Sequence, residues 1–280
     1  MADGMTLTLA GDLRVYRLGF GAMRITGPGI WGYPPDPKGA IALLRHVVDS
    51  GVDLIDTADS YGPAVSEQLI ARALHPYPAQ LVVATKGGLV RPGPDRWEPD
   101  CRPAHLREAC EGSLKRLKLD RIDLYQLHTV DPKVPLADSI GALVDLQREG
   151  KIRHIGVSNV NLTQLEEARR LATIVSVQNR YNIEDRTHEG VVDACTRDHL
   201  AFMPWYPLSA GKLAAARSRL NDIARRHRAT PAQVAIAWLL RRSPIMLPIP
   251  GTLSIKHFDE NRAAAELELS DAEFAALAEA

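Results

Sequence analysis

Net charge is missing from this sequence, because 34 lysine and arginine residues balance 34 aspartate and glutamate residues. A balanced chain gives no global electrostatic reason to bind nucleic acid or an anionic membrane surface, so we expect neither partner. Long hydrophobic runs are missing too, and those present are too short to cross a bilayer. The opening Met-Ala-Asp-Gly-Met has no basic segment followed by an apolar one. No secretory signal is therefore predicted.

Cysteine is scarce as well. Cys101, Cys110 and Cys195 are odd in number, lack the spacing of metal ligands, and do not lie at the ends of predicted strands. We interpret them as packing or surface residues in a reducing compartment, and we predict a cytoplasmic location. The aspartates near position 56 lack calcium-loop spacing, and no His-x-His pair follows a strand. No metal is therefore expected.

Linkers and low-complexity stretches are also missing, and we predict one domain over residues 1–280. Residues 6–16 alternate around a Gly-Asp turn and predict a β-hairpin. Eight strand–helix units follow. The predicted strands are 17–21, 52–56, 81–86, 122–128, 152–157, 174–178, 201–204 and 245–249. The predicted helices are 38–50, 64–74, 103–117, 135–149, 162–172, 189–198, 212–227, 231–242 and 256–265, with a last one at 270–278. This order predicts an α/β fold, a TIM (β/α)8 barrel whose bottom the hairpin closes; a doubly wound sheet is the structural alternative.

Three successive predicted strands end in single polar residues. Asp56 ends the second strand, Lys86 the third and His128 the fourth, while Tyr61 lies in the loop after Asp56. In a parallel barrel these ends share one rim, where active sites are built. The alternative for Asp56 is a plain helix cap.

These four side chains suit protonation of an oxygen that becomes an alkoxide. We expect the Lys86 ammonium to lower the pKa of Tyr61 below its ordinary value of about 10. Asp56 would keep Lys86 charged, and His128 would orient a carbonyl oxygen. Such chemistry needs a source of hydride.

The later strand ends offer a place for that source. Ser158, Asn159 and Gln178 carry hydroxyl and amide groups suited to a carboxamide, and Trp205 could stack on a flat ring. The segment 250–252 precedes a helix whose free N–H groups could bind a phosphate. The alternatives are that Ser158 and Asn159 cap a helix and that Gln178 satisfies backbone groups in the core.

Taken together, these residues resemble the aldo-keto reductase family in order over nearly the whole chain. The motifs that carry the resemblance are Leu18-Gly-Phe-Gly-Ala-Met23, Gly51-Val-Asp-Leu-Ile-Asp-Thr-Ala-Asp-Ser-Tyr-Gly62, Thr85-Lys86, Asp123-Leu-Tyr-Gln-Leu-His128, Ile155-Gly-Val-Ser-Asn159, Val177-Gln-Asn-Arg-Tyr-Asn182 and Ile249-Pro-Gly-Thr252 through Glu260-Asn261. The resemblance implies a β/α barrel that reduces carbonyl compounds reversibly. It maps Asp56, Tyr61, Lys86 and His128 onto a catalytic tetrad with Tyr61 as general acid.

The resemblance also implies NADP(H) as cofactor, with NAD(H) as the alternative. The implied cofactor-binding residues are Gly21, Ala22, Met23, Arg24, Asp56, Ser158, Asn159, Gln178, Trp205, Tyr206, Pro207, Leu208, Ser209, Gly211, Lys212, Ile249, Pro250, Gly251, Thr252, His257, Glu260 and Asn261. Mammalian-type members carry lysine where this chain has Gly251 and arginine where it has His257. Discrimination against NADH is therefore less secure here.

The function implied is NADPH-dependent reduction of small aldehydes or ketones by a monomer or weak homo-oligomer. The pattern Gly251-Thr-x-Ser254 resembles bacterial members, including pyridoxal reductases, which makes pyridoxal a candidate substrate. The chain stops soon after position 278, so we expect an open site with Trp31, Tyr33 and Trp97 in its walls. The alternatives are a cofactor-sensing binding subunit with little turnover, as in potassium-channel auxiliary subunits, and a metal-dependent barrel hydrolase.

Overall fold

The computed structural model describes residues 5–208 and 217–278. It begins with an antiparallel hairpin of β1 (Thr6–Leu9) and β2 (Leu13–Tyr16), in which Leu9 faces Leu13. Ala10 and Gly11 turn the chain with φ angles of 50° and 80°. Two positive φ values suit the tight turns that match strand twist. The predicted hairpin is confirmed.

Seven parallel strands follow and pair in chain order. They are β3 (Phe20–Gly21), β4 (Leu54–Asp56), β5 (Val82–Gly87), β8 (Ile122–Leu127), β9 (Ile152–Ser158), β10 (Ile174–Gln178) and β11 (Ala201–Phe202). Parallel neighbours in sequential order require helical crossovers on the outside of the sheet. The curled sheet is the wall of a (β/α)8 barrel, as predicted.

The eighth predicted strand, 245–249, closes the barrel without forming a regular ladder. On one side the Leu247 amide donates to the Phe202 carbonyl at 2.9 Å, and on the other the Gly19 amide donates to the Pro248 carbonyl at 3.0 Å. Pro248 and Pro250 have no N–H, so this segment cannot sustain paired bonds on both edges. The prediction of a regular strand there was wrong, although its position in the barrel was right.

Ten α-helices are described in residues 5–208 and 217–278. They are α1 (Pro37–Asp49), α2 (Val65–Leu74), α3 (Pro103–Leu117), α4 (Leu136–Arg148), α5 (Leu162–Leu171), α6 (Glu189–Arg197), α7 (Arg217–His227), α8 (Pro231–Arg242), α9 (Ile255–Ala263) and α10 (Asp271–Ala278). Side chains of Asp36, Asn161 and Thr230 accept bonds from the first turns of α1, α5 and α8. Residues 212–216 of the predicted seventh helix lie outside the described residues.

The hairpin packs against the lower end of the barrel interior. Leu9, Leu13 and Val15 are buried and share one apolar cluster with inward-facing strand residues such as Leu54 and Leu124. Burying each such side chain stabilises the fold by about 1.5–3 kcal/mol. The hairpin therefore closes the bottom and leaves the opposite rim as the open end.

Residues 88–100, which lie between the predicted strand 81–86 and the predicted helix 103–117, contain a second hairpin. Its strands are β6 (Leu89–Gly93) and β7 (Arg96–Pro99), and Asp95 in the turn has a φ of 53°. This hairpin was not predicted, because Pro92 interrupts an apolar run that is too short to indicate a strand. This second hairpin rises from the functional rim directly after Lys86.

None of the helices in the described part of the chain is long and apolar enough to cross a membrane.

Candidate active site

The barrel topology brings the four predicted catalytic side chains to one rim. Asp56 is the last residue of β4, Lys86 the penultimate residue of β5, and His128 follows β8 directly. Tyr61 lies in the loop between β4 and α2. All four are buried, with exposed fractions between 0% for Lys86 and 6% for Tyr61 and His128.

Lys86 is the centre of this cluster. Its Nζ donates to Asp56 Oδ2 at 2.7 Å, to the Thr57 carbonyl at 2.8 Å and to Tyr61 Oη at 3.3 Å. An ammonium has three hydrogens, and all of them have acceptors here. Burial alone would lower the pKa of Lys86, but the nearby Asp56 and Tyr61 outweigh it, and the pKa is raised. Lys86 is therefore a fixed positive charge beside the phenol.

Two glutamines satisfy the other oxygen of Asp56. Gln178 donates to Oδ1 at 2.8 Å and Gln126 donates to it at 3.1 Å. Sequence reasoning missed Gln126, although a signal existed: it precedes His128 by two positions in the predicted strand 122–128, so both side chains are expected on the same side. A wholly buried amide in an apolar strand indicates a polar partner inside the barrel.

The pKa of Tyr61 is raised above its ordinary value of 10.0. Burial disfavours the phenolate, and the Lys86 charge offsets only part of that effect. Lys86 does lower this pKa, as expected, but the expectation of a net pKa below 10 was wrong, because the sequence does not reveal how deeply the phenol is buried. Tyr61 is thus fully protonated near neutral pH and has a proton to give.

His128 is held in its neutral form. Burial, and then the Lys86 charge, place the pKa of His128 well below its ordinary 6.5. Its Nδ1 lies 3.3 Å from Ser60 Oγ, and its ring meets the Tyr61 ring edge-on with centroids 5.8 Å apart. A neutral imidazole next to the phenol can donate one hydrogen bond without repelling Lys86.

The polar groups at the ends of β9 and β10 form a connected network. Ser158 Oγ donates to the Gln178 carbonyl at 2.7 Å, and Asn159 Nδ2 donates to the His128 carbonyl at 2.9 Å. Trp205 Nε1 donates to Asn159 Oδ1 at 3.0 Å. The alternative that Ser158 and Asn159 cap a helix is wrong, since Asn161 caps α5. The alternative that Gln178 satisfies backbone groups in the core is also wrong, since its amide binds Asp56.

A close backbone approach joins the first and last barrel loops. A Cβ added to Gly21 would lie 2.5 Å from the Ile249 carbonyl oxygen, and one added to Gly251 would lie 2.4 Å from the Gly21 carbonyl oxygen. Both distances are far inside van der Waals contact, so both positions require glycine. The loop Ala22–Ile25 is a 3-10 turn that leaves Arg24 exposed.

The segment after Gly251 ends at the start of α9. Ser254 caps this helix by accepting a bond from the His257 amide, and Thr252 Oγ1 accepts one from the Ser254 amide. Lys256 is 82% exposed, and the His257 side chain is exposed too. Polar groups and a positive charge at a helix N-terminus favour an anion.

Some of the other predicted cofactor-binding residues are buried and some are partly exposed. Pro207, Ile249, Pro250 and Asn261 are buried, while Met23, Tyr206, Leu208 and Glu260 are partly exposed. Ser209, Gly211 and Lys212 lie outside the described residues. Over residues 5–208 and 217–278, no group of three or more His, Cys, Asp or Glu side chains could hold a metal ion.

One predicted wall residue lies directly beside the catalytic cluster. The Trp97 ring, carried by β7, meets the Tyr61 and His128 rings edge-on at centroid distances of 6.2 and 6.3 Å. Trp31 is 37% exposed and Tyr33 is 48% exposed, with Tyr33 Oη bonded to Gln68 Oε1. Trp97 is thus the predicted wall aromatic that contacts the rings of both Tyr61 and His128.

Comparisons with known proteins agree with this geometry. The model of the aldo/keto reductase family matches residues 17–280. Pyridoxine 4-dehydrogenase of Escherichia coli is 45% identical over 272 residues, covering 95% of this chain and 94% of that protein. An uncharacterised oxidoreductase of Schizosaccharomyces pombe is 46% identical over 269 residues, covering 96% and 88%. The crystal structure of an aldo/keto reductase from Klebsiella pneumoniae with NADP and acetate is 30% identical, with a TM-score of 0.84 over 98% of this chain and 94% of that one.

Proposed function

We propose that this chain, which belongs to the aldo/keto reductase family, reduces small aldehydes and ketones with NADPH and uses Tyr61 as proton donor. The chain is an NAD(P)H-dependent oxidoreductase by its family and its relatives. The observation that carries the proposal is the position of Lys86 Nζ, which lies 2.7 Å from Asp56 and 3.3 Å from Tyr61 Oη inside a buried rim.

The residues of the rim fit an extended dinucleotide. Ser158 and Asn159 present polar atoms beside the partly exposed Trp205 ring, which suits a nicotinamide and its carboxamide. Gly21 and Gly251 lack side chains where two loops meet, and the start of α9 offers Lys256 and His257 to a phosphate. NADP(H) is the cofactor that this set and the family support.

NADPH, when bound, supplies a hydride to the carbonyl carbon. Tyr61 gives its Oη proton to the carbonyl oxygen, and Lys86 stabilises the phenolate that remains. Asp56 keeps the ammonium in place. His128 orients the carbonyl oxygen in the tautomer that carries its proton on Nε2. In that tautomer Nδ1 accepts from Ser60 Oγ and the Nε2–H donates to the substrate oxygen.

Pyridoxal is a candidate substrate within this aldehyde class. The support is the 45% identity, over nearly the whole chain, to the Escherichia coli protein named pyridoxine 4-dehydrogenase. The flat Trp97 ring beside Tyr61 suits a planar heteroaromatic aldehyde.

The test is NADPH and NADH oxidation with 4-nitrobenzaldehyde, methylglyoxal and pyridoxal, using wild type and Tyr61→Phe. We expect turnover by wild type and a loss of about 100-fold or more in Tyr61→Phe, with NADPH binding unchanged, because only the proton donor is removed. Tyr77→Phe is the matched control, since Tyr77 lies between α2 and β5, at the opposite end of the barrel from the rim, where its hydroxyl donates to the Leu117 carbonyl. Tight NADPH binding by wild type without turnover would instead favour a cofactor-sensing subunit.

A further inference from the structure

Arg91, in β6, is a buried cation whose guanidinium is bound by backbone carbonyls. It is 9% exposed. Its nitrogens donate to five carbonyl oxygens, those of Ile30, Gly29 and Arg96 at 2.8 Å, Ser60 at 3.1 Å and Gly93 at 3.4 Å. These acceptors belong to the loop after β3, the loop after β4 and the hairpin β6–β7. One side chain therefore joins three loops of the functional rim.

Arg91 has no carboxylate within ion-pair distance in the part of the chain that the structure describes. Burial consequently lowers its pKa, with the charge of Asp95 offsetting part of the effect. A buried cation is costly unless its donors are satisfied, and here backbone dipoles satisfy them. Lysine could not replace it, because only a planar guanidinium donates in so many directions within one plane.

The flat face of Arg91 lies over the ring that borders the catalytic cluster. Its Cζ is 3.7 Å from the Trp97 ring centroid, within the range of a strong cation–π contact. Trp97 in turn meets Tyr61 and His128 edge-on. Arg91 also binds the carbonyl of Ser60, whose hydroxyl lies beside His128 Nδ1. The guanidinium thus sets the distance between the aromatic wall and the side chains of Tyr61 and His128.

We propose that Arg91 is a positioning residue that holds Trp97 as a fixed aromatic wall beside Tyr61 and His128, and so selects flat aromatic carbonyl substrates over small aliphatic ones. The inference rests on the proposed function, because it deepens the choice of substrate at the same site. Trp97 is the specificity-determining surface, and Arg91 acts through it.

The kinetic test compares 4-nitrobenzaldehyde with methylglyoxal. In Trp97→Leu and Arg91→Met we expect KM for 4-nitrobenzaldehyde to rise about tenfold, the size of one strong ring contact, and KM for methylglyoxal to change less than about twofold. The double variant should be no worse than Trp97→Leu alone, since Arg91 acts through Trp97. Arg91→Lys should recover little. Arg96→Met, on the exposed face of the same hairpin, is the matched control.

Equal losses for both aldehydes, or additive losses in the double variant, would overturn the proposal. Trp97→Leu carries the test if Arg91→Met fails to fold, because Trp97 is partly exposed. A wild type with no turnover would contradict the proposed function and leave this inference measurable. In that case calorimetry of 4-nitrobenzaldehyde binding to the NADP⁺ complex should show the same weakening in both variants.

Hydrogen exchange gives a readout independent of substrate. The amides of Asp95, Gly62 and Gly32 donate to carbonyls within the segments joined by Arg91. In Arg91→Met we expect all three to exchange faster together, while NADPH affinity stays within about twofold. Faster exchange at Asp95 alone would show that Arg91 stabilises only its own hairpin, and would contradict the proposal.

Discussion

The two halves of the functional rim differ in how completely their polar groups are paired. On the side of β4, β5 and β8, Asp56, Lys86 and Tyr61 are buried and bonded to one another. On the side of the last barrel loop, Lys256 and His257 are exposed at the start of α9, and Lys256 Nζ has a long contact of 3.9 Å with Glu260 Oε1. The side chains of the first half, the paired half, are already bonded to one another without a ligand. Those of the second half, the exposed half, offer donors that a ligand could bind.

Under the proposed function, this difference follows from the role of each half. Stabilising charge that develops during a reaction requires dipoles and ions already in place, because reorganising them would add to the barrier. Holding a charged cofactor requires groups that exchange water for phosphate, so those groups remain at the surface. Substitutions should therefore affect stability in the first half and ligand affinity in the second.

Lys86→Met gives the largest expected effect. It leaves the buried Asp56 carboxylate without its cation, so we expect a loss of about 3–5 kcal/mol in the free energy of unfolding, together with loss of turnover. Urea denaturation measures the first and NADPH oxidation the second. Lys256→Met is the matched control and should change stability by less than about 0.5 kcal/mol. Similar urea midpoints for the two variants would contradict the claim that substitutions affect stability more in the half around Lys86 than in the half around Lys256.

Asp59→Asn tests the electrostatics behind the paired half. Burial, and then the charge of Glu67, raise the pKa of Asp59 to about 8, and its Oδ1 has no hydrogen-bond partner. Because the pKa is higher in the folded state, wild type loses stability progressively from about pH 4 to pH 8. The variant should be more stable than wild type at pH 9 by about 1–3 kcal/mol, the cost of an unpartnered buried group, and nearly equal at pH 4.

The measurement is the urea midpoint of Asp59→Asn and wild type across that range. Asp120→Asn is the control, because Asp120 is exposed. A difference between variant and wild type that is constant from pH 4 to pH 9 would show that Asp59 does not titrate in this window.

Lys256→Met tests whether the exposed residues at the start of α9 contribute to cofactor affinity. We expect NADPH affinity to fall about fivefold, corresponding to about 1 kcal/mol for an exposed charge contact, with a smaller change for NADH. Fluorescence titration with each cofactor measures the ratio. Lys115→Met, an exposed lysine on α3, controls for general charge. Equal losses for both cofactors would place Lys256 away from the phosphate that distinguishes them.

The smallest expected effect is that the cysteine thiols of the folded protein do not react with an alkylating reagent. Burial raises the pKa of Cys101, Cys110 and Cys195 to about 12, so almost no thiolate is present at pH 7.5. Iodoacetamide should leave the folded protein unmodified by mass spectrometry and label it in urea. Rapid labelling of the folded protein would show that one of these sites opens locally.

Much of the barrel could be read from the sequence because apolar runs and helical periodicity alternate without interruption. The predicted bounds of α3, β10 and α8 are those observed. Regular helices and strands can be predicted from the spacing of their apolar side chains. The hairpin β6–β7 could not be predicted in this way, because Pro92 interrupts its first strand and the bonds from Arg91 to the carbonyls of other loops leave no pattern in the sequence.

The sequence predicted which side chains lie together in the site, but not how burial and charge shift their pKa values. Strand ends identify which side chains share the rim, so Asp56, Lys86 and His128 could be grouped from position alone. The direction of the Tyr61 pKa depends on burial against attraction to Lys86, which spacing does not encode. Arg91 was missed for the same reason, since a lone arginine in a short run carries no sign of the carbonyls it will meet.

The paired glycines at positions 21 and 251 restrict how this enzyme could change its cofactor. A side chain at either position would clash with a backbone carbonyl oxygen of the other's loop, so neither position can gain a new functional group by a single mutation. In the proposed cofactor site, changes in affinity for the cofactor phosphate are therefore expected at Thr252, Lys256 and His257, whose side chains are partly or fully exposed. Laboratory evolution toward NADH or NADPH should accumulate its substitutions there and leave both glycines untouched.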